Sequence, residues 1–536
     1  IFYNQPIAFT HNCFKASEKN MANKMKKINL SIWLLLTIVA IPFCTNAQQE
    51  KIKKEIDLHQ WDIMEDFKSL LSIPNVAADK QGIQKNAEWI AGYMKMNGVQ
   101  KVQLLTDDKS DTPPVVYGEV ITPGVKETVI FYAHYDGQPV DSSKWAKGLQ
   151  PFKPVLYNDL INNGGTVLPW PTKEVGYNLD SRIYGRGASD DKAGVMAIIN
   201  AYAVLKQLGI KPTVNIKFFF EGEEEAGSPH LAELLKKHKT LLTSDIWVIC
   251  DGPVHQSGRK QIVYGVRGDT HLEMTVFGPK RPLHSGHYGN WVLNPAMELA
   301  RLLASMKNEK GEVTIAGFYD DVTPLMMSEK EALSKIPSVE AQLKNELGIN
   351  ATERNIPLND ALQYPSLNIN GLQSAGVGKY SANVIPTKAI ASIDLRLVKG
   401  NDWKRQQEKV INHIKAQGFF VTDKEPTDEQ RKQYAKICMV IADENSYNAQ
   451  KTSMDNLFAK RIVQALQGTM GISPLLLPTV GGSLPLFVFE QELNTQPITV
   501  PIANHDNNQH AENENIKLKN FFDGIQMFSS IMTLTK

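Results

Sequence analysis

Three short runs of this chain are apolar almost without interruption: Thr128–Ala133 (TVIFYA), Asn215–Phe220 (NIKFFF) and Asp245–Cys250 (DIWVIC). A strand with one wet face alternates apolar and polar positions. Runs without that alternation predict strands covered on both faces, as in parallel sheets. Between the first two, the pattern from Ala193 to about Leu208 predicts a helix, stopped by Gly209 and Pro212. Strand, helix and parallel strand in succession predict an α/β sandwich with a mostly parallel sheet.

The pattern changes near Gly268. In Thr270–Phe277, Leu272, Met274 and Val276 alternate with His271, Glu273 and Thr275. In Ala389–Val398, Ala391, Ile393, Leu395 and Leu397 alternate with Ser392, Asp394 and Arg396. Period two predicts antiparallel strands with one solvated face. Two helices accompany them, one opening at Asn294-Pro295 and one running from about Asp402 to Gln417 before Gly418. The expected organisation is a catalytic unit of residues 48–267 and 426–536, interrupted by a smaller α+β domain at 268–425. The segment 152–180, rich in Gly, Pro and Asn, reads as a long surface loop.

Hydrophobic residues make up 42% of the 536, enough for a large core and too many for disorder. Lysine and arginine total 58 against 57 acidic residues. That balance gives no electrostatic reason to expect nucleic acid or an anionic membrane as partner. Cys13 and Cys44 precede the globular pattern, and Cys250 and Cys438 stand apart, so no disulfide framework is implied. Residues 1–20 read as an upstream segment. Lys24, Lys26 and Lys27, then apolar Leu30–Phe43, then Thr45-Asn46-Ala47 have the order of an export signal. The apolar stretch is shorter than the ~20 residues that span a bilayer. The expectation is cleavage near Ala47 and a periplasmic or secreted chain without a membrane span. Phe43 is too bulky for a lipid-attachment site at Cys44.

Each buried run ends in residues that bind metals. The first gives His134-Tyr135-Asp136, the second Glu221-Gly222-Glu223-Glu224-Glu225, the third Asp251-Gly252-Pro253. Asp190-Asp191 stands where a glycine turn enters the Ala193 helix. Ligands of open α/β sheets bind at the carboxyl ends of the strands, so these groups should share one crevice. Crowded carboxylates repel one another, and divalent cations relieve that repulsion. The turn Gly185-Arg186-Gly187-Ala188-Ser189-Asp190 partly mimics a dinucleotide fingerprint. Asp190 occupies the third glycine position, where it would repel a pyrophosphate.

The strings HYDGQP (134–139), YGRGASDDKAG (184–194), EGEEEAGS (221–228), ICDGP (249–253) and LHSG (283–286) follow the order found in metallopeptidases of family M20. TVGGSLPLF (479–487) and NQHAENE (508–514) resemble that family's closing motifs. The chain is most similar to the carnosinase-like dipeptidase branch. The resemblance implies a phosphorylase/hydrolase-like sandwich, an inserted lid that forms a homodimer, and two divalent ions, zinc or else manganese or cobalt. It implies that Asp190 bridges the ions, with His134 and Asp251 on one and Glu225 and His510 on the other. Glu224 would be the general base and Asp136 would orient His134. His284 would stabilise the oxyanion, often from the other subunit. Arg396, Asn383, Gly482 and Ser483 would bind substrate. The segment from Pro139 to Tyr184 is longer than expected for the family. The implied reaction is hydrolysis of dipeptides or short peptides with a free C-terminal carboxylate. Deacylation of N-acyl amino acids is the alternative within the family, and a non-catalytic exported binding protein is the alternative outside it.

Overall fold

The computed structural model describes residues 47–535 except 108, 110 and 111. The segment 1–20 and the export signal read at 21–47 therefore lie outside the described residues, save Ala47. After a helix over residues 47–71, the chain lays down β1 (Gln100–Leu105), β2 (Val115–Val120) and β3 (Thr128–His134). Helix α1 (Lys192–Gln207) follows, then β4 (Asn215–Glu221), β5 (Ile246–Ile249) and β6 (Gln261–Val263). The second unit supplies β7 (Gly265–Phe277), α2 (Pro295–Ala304), β8 (Ser366–Gln373), β9 (Lys388–Leu397), α3 (Trp403–Ala416), β10 (Phe420–Thr422) and β11 (Ile437–Ala442). The chain returns through β12 (Leu475–Leu477) and β13 (Pro497–Thr499) and closes with α4 (Leu518–Met532).

The large sheet has the order β1-β2-β4-β3-β5-β13-β6-β12. Its centre, β4, β3, β5 and β13, is parallel, and β2 runs against β4. Both faces of the centre are covered. Val129, Phe131, Phe218, Phe220, Ile246 and Val248 join a core with α1 and α4. Ile130, Tyr132, Phe219, Trp247 and Ile249 join a second core on the other face, with Leu231, Leu234 and Phe489. This double burial is why the three runs show no alternation. Helix α1 is buried nearly all round as well, and ends before Gly209, which takes φ 67°.

The second sheet has the path β8-β9-β7-β11-β10. Its period-two strands pair antiparallel, with Leu272 opposite Ile393 and Met274 opposite Ala391. Leu272, Met274, Val276, Ala391, Ile393 and Leu395 pack with Leu299, Leu302, Val410 and Ile414 of α2 and α3. Asn294 caps α2 through the Ala296 N–H, and Asp402 caps α3 through the Arg405 N–H. Strand β11 lies beyond residue 425, so this sheet draws on more of the chain than the 268–425 read from sequence. The run ICMVIA carries no alternation of its own, and its pairing with β7 decides where it belongs.

The 152–180 segment is not a free surface loop throughout. Val155–Tyr157 pairs with Arg182–Tyr184, which pairs in turn with Asn515–Lys517. Trp145, Leu149, Tyr157 and Tyr184 form a small core there. Among the described residues, no helix is long and apolar enough to cross a membrane.

Candidate active site

The parallel strands deliver their ligand-type residues to one edge. His134 ends β3, the Glu223–Glu225 run follows β4, and Asp251 follows β5. Asp190 and Asp191 precede α1. His510 arrives on the loop between β13 and α4. The His134 Nε2 lies 3.0 Å from Asp190 Oδ1. His510 Nε2 lies 3.2 Å from Asp190 Oδ2 and 3.3 Å from Glu225 Oε2. His134, Asp190 and Asp251 offer ligand atoms within 4.8 Å of one another, and so do Asp190, Glu225 and His510. Asp190 belongs to both triads and presents one oxygen to each histidine. The five groups assigned to metal therefore meet in one cleft.

Asp136 sits behind them, fully buried. Its Oδ1 lies 3.3 Å from His134 Nδ1, leaving Nε2 to face Asp190. Oδ1 also accepts the Glu224 N–H at 3.1 Å, and Oδ2 accepts the Glu225 N–H at 3.0 Å. Asp136 thus holds the imidazole, through its backbone carbonyl at 3.2 Å as well as its carboxylate, and the carboxylate fixes the turn that carries two acidic side chains. The sequence reading assigned only the first task. It also missed Gln138, whose amide donates to Glu225 Oε2 at 2.7 Å. Asn75 was missed too; it donates to the Tyr135 carbonyl and accepts the Gly137 N–H. Gln138 lay within the HYDGQP string and could have been flagged, whereas nothing local marked Asn75. Gly222 is required by close approach, since a Cβ there would strike the Tyr135 hydroxyl.

The electrostatics are those of a crowded acidic site. Burial, with Asp190 nearby, pushes Glu225 up to about 7 and Asp251 up to about 6. Burial also drives Glu224 well above the carboxylate range, with Asp251 and Glu225 adding to it. Asp190 goes the other way. Burial opposes its ionisation, but hydrogen bonds from His134 and His510 outweigh that and hold it low. The bond to Asp190, reinforced by Glu225, raises His510 to about 9. Imidazole and carboxylate are suited to zinc, manganese or cobalt, and cations at the two triads would relieve the repulsion. The donor set fits a two-metal centre sharing Asp190.

A cleft of about 560 Å³ opens over these groups, lined by Asp190, Glu224, Glu225, Asp251, His510 and Gly482 among others. Ser483 ends the neighbouring strand Val480–Ser483. His284, Asn383 and Arg396 do not line the cleft. His284 is exposed and ring-packed on His287, and the Ser285 N–H donates to the Asn383 carbonyl, so these two candidates are neighbours on the second unit. The Arg396 guanidinium already meets Asp394 at 3.0 Å and Asp269 at 3.4 Å.

An α/β sandwich with a lid and paired His–carboxylate triads at its strand ends defines a metal-dependent hydrolase. The sequence profile of Peptidase family M20/M25/M40 matches residues 130–534, and the chain belongs to that family. It is therefore an enzyme, which sets aside the non-catalytic binding-protein alternative. The chain is 28% identical to the Beta-Ala-His dipeptidase of Homo sapiens, over 94% of this chain and 96% of that one. It is 26% identical to the Cys-Gly metallodipeptidase dug1 of Schizosaccharomyces pombe, over 89% and 96%. Among solved structures, the M20 metallo-carboxypeptidase Sso-CP2 of Sulfolobus solfataricus superposes with a TM-score of 0.70 at 28% identity, over 88% of this chain and 98% of that one.

These comparisons correct the location read from residues 21–47. The likeness to the human dipeptidase takes in 94% of this chain, so it is not confined to the part downstream of residue 47. The exported location is withdrawn.

Proposed function

We propose that this peptidase hydrolyses the amide bond of dipeptides or short peptides that carry a free C-terminal carboxylate. The observation that carries the reading is the pair of triads sharing Asp190, with Glu224 beside them. The names of the two relatives, a Beta-Ala-His dipeptidase and a Cys-Gly metallodipeptidase, support small peptides as substrates. His134, Asp190 and Asp251 would hold one divalent ion, and Asp190, Glu225 and His510 the other. Zinc suits the donors best, with manganese or cobalt as substitutes. When bound, such ions polarise the scissile carbonyl and ease deprotonation of the attacking water.

The protein's own groups do the rest. Glu224 lines the cleft, 3.8 Å from His134 Nε2, and takes the water's proton before passing it to the leaving amine. Asp136 keeps His134 and the Glu224 turn in register. Gly482, which lines the cleft, and its neighbour Ser483 would bind the peptide backbone. His284 and Asn383 would act from a second copy of the chain, which accounts for their exposed place outside this cleft. The edge strand β8 carries exposed Ile369 and Leu372, in keeping with a homodimer through the inserted unit. Arg396 would take the substrate carboxylate by exchanging one of its acidic partners.

The test is Glu224→Gln in the metal-loaded enzyme, assayed on a panel of dipeptides and N-acyl amino acids. Activity should fall by about 10²-fold or more with metal content unchanged. Normal turnover by this variant contradicts the role of Glu224. Preference for N-acyl amino acids over every dipeptide would replace the peptidase reading by the deacylase one.

A further inference from the structure

Two of the segments that carry metal-binding residues, the Asp190 turn and the His510 loop, meet on a single buried carboxylate. Glu514 is fully buried, four residues beyond His510. Its Oε1 accepts the Ser189 N–H at 2.8 Å, the Asp190 N–H at 3.0 Å and the Ser189 hydroxyl at 3.0 Å. Its Oε2 accepts the Gly187 N–H and the Arg186 Nη1, both at 2.9 Å. The Glu514 carbonyl takes the Gly185 N–H at 3.0 Å, and Arg186 Nη2 reaches the Ala511 carbonyl at 3.1 Å. The turn from Gly185 to Asp190 is wrapped around this side chain.

The His510 loop needs such an anchor. The His510 side chain is 56% exposed, so packing does not hold it. Its backbone takes φ 60°, with Asn508 at 56° and Asn513 at 61°. Side chains other than glycine adopt that region at a cost, and persist there when the surroundings fix them. Metal ligands in turn must sit within about 0.2 Å of their required distances.

We infer that Glu514 is a positioning residue, which locks the His510 loop onto the Asp190 turn and so sets the spacing of the Asp190, Glu225 and His510 triad. This rests on the two-metal reading above. A merely structural Arg–Glu pair would stabilise the metal-free and metal-loaded chains alike. A positioning residue acts on metal affinity in addition.

The full chain, stripped of metal, is titrated with Mn²⁺ by calorimetry, and its thermal unfolding is followed with and without the ion. kcat and KM are then measured on a dipeptide. In Glu514→Gln, which keeps the volume but loses acceptors, one of the two ions should bind about 10- to 100-fold more weakly. The metal-induced rise in Tm should shrink, and kcat should fall while KM stays close to wild type. Ser189→Ala removes one bond to Oε1 and should shift the same ion in the same direction by less. It also carries the test if Glu514→Gln does not fold. Either variant, folded and binding both ions as wild type does, overturns the inference. Wild-type protein that binds fewer than two ions overturns the two-metal reading instead.

Discussion

Replacing Asp136 by asparagine separates ligand orientation from ligand donation. Asp136→Asn is nearly isosteric at a site with no solvent access. In the wild type, two oxygens serve the Glu224 N–H, the Glu225 N–H and His134 Nδ1. The amide keeps one acceptor, and its nitrogen must face a backbone N–H or the imidazole. A lost charge-assisted bond is worth ~1.5–3 kcal/mol, and a buried donor left unsatisfied costs ~1–3 kcal/mol. These overlap, so a total of about 2–4 kcal/mol is reasonable. The Glu224–Ala226 element is a single 3₁₀ turn. It can shift to recover part of that energy, but the shift carries Glu224 and Glu225 with it. A displacement of about 1 Å in a reacting group costs on the order of 10²-fold in rate. The variant should keep nearly wild-type metal content at saturating ion, because Asp136 belongs to neither triad. Its kcat/KM on a dipeptide should fall about 10²-fold, and urea denaturation of the metal-free chain should show the stability loss. Wild-type kcat/KM in the folded variant would refute the argument that Asp136 sets the position of Glu224.

The metal-free chain should lose stability as pH rises from about 4.5 to 7. Glu225 and Asp251 have folded-state values raised to about 7 and about 6, so the folded state favours their protonated forms and pays for ionising them. His510, raised to about 9, adds stability that is present below about 6.5 and disappears as pH climbs through 9. Divalent ions should therefore raise Tm more at pH 8 than at pH 5, and an equal rise at both would count against protons and cations competing for these groups. Gly222→Ala forces a Cβ onto the Tyr135 hydroxyl and should cost about 1–3 kcal/mol, read by urea denaturation. Unchanged stability would mean that Tyr135 can move aside freely.

The sequence alone determined much of the architecture. Unbroken apolar runs require two covered faces, and period-two runs require one, so the sandwich and the second sheet could be read from the spacing of side chains. Residue chemistry at the ends of those runs, together with the family strings, picked out His134, Asp136, Asp190, Glu224, Glu225, Asp251 and His510 as candidates in the order of the chain. Convergence itself was a tertiary matter. His510 lies far from Asp190 in sequence, and only the crossing of β13 between β5 and β6 brings its loop over the cleft. The anchors were also invisible in one dimension. Asn75 and Glu514 act through backbone amides and carbonyls of distant segments, and an amide carries no sequence signature of its partner. The membership of β11 in the second sheet follows the same rule. A short apolar strand fits several sheets by composition, and hydrogen-bond pairing with β7 selects one.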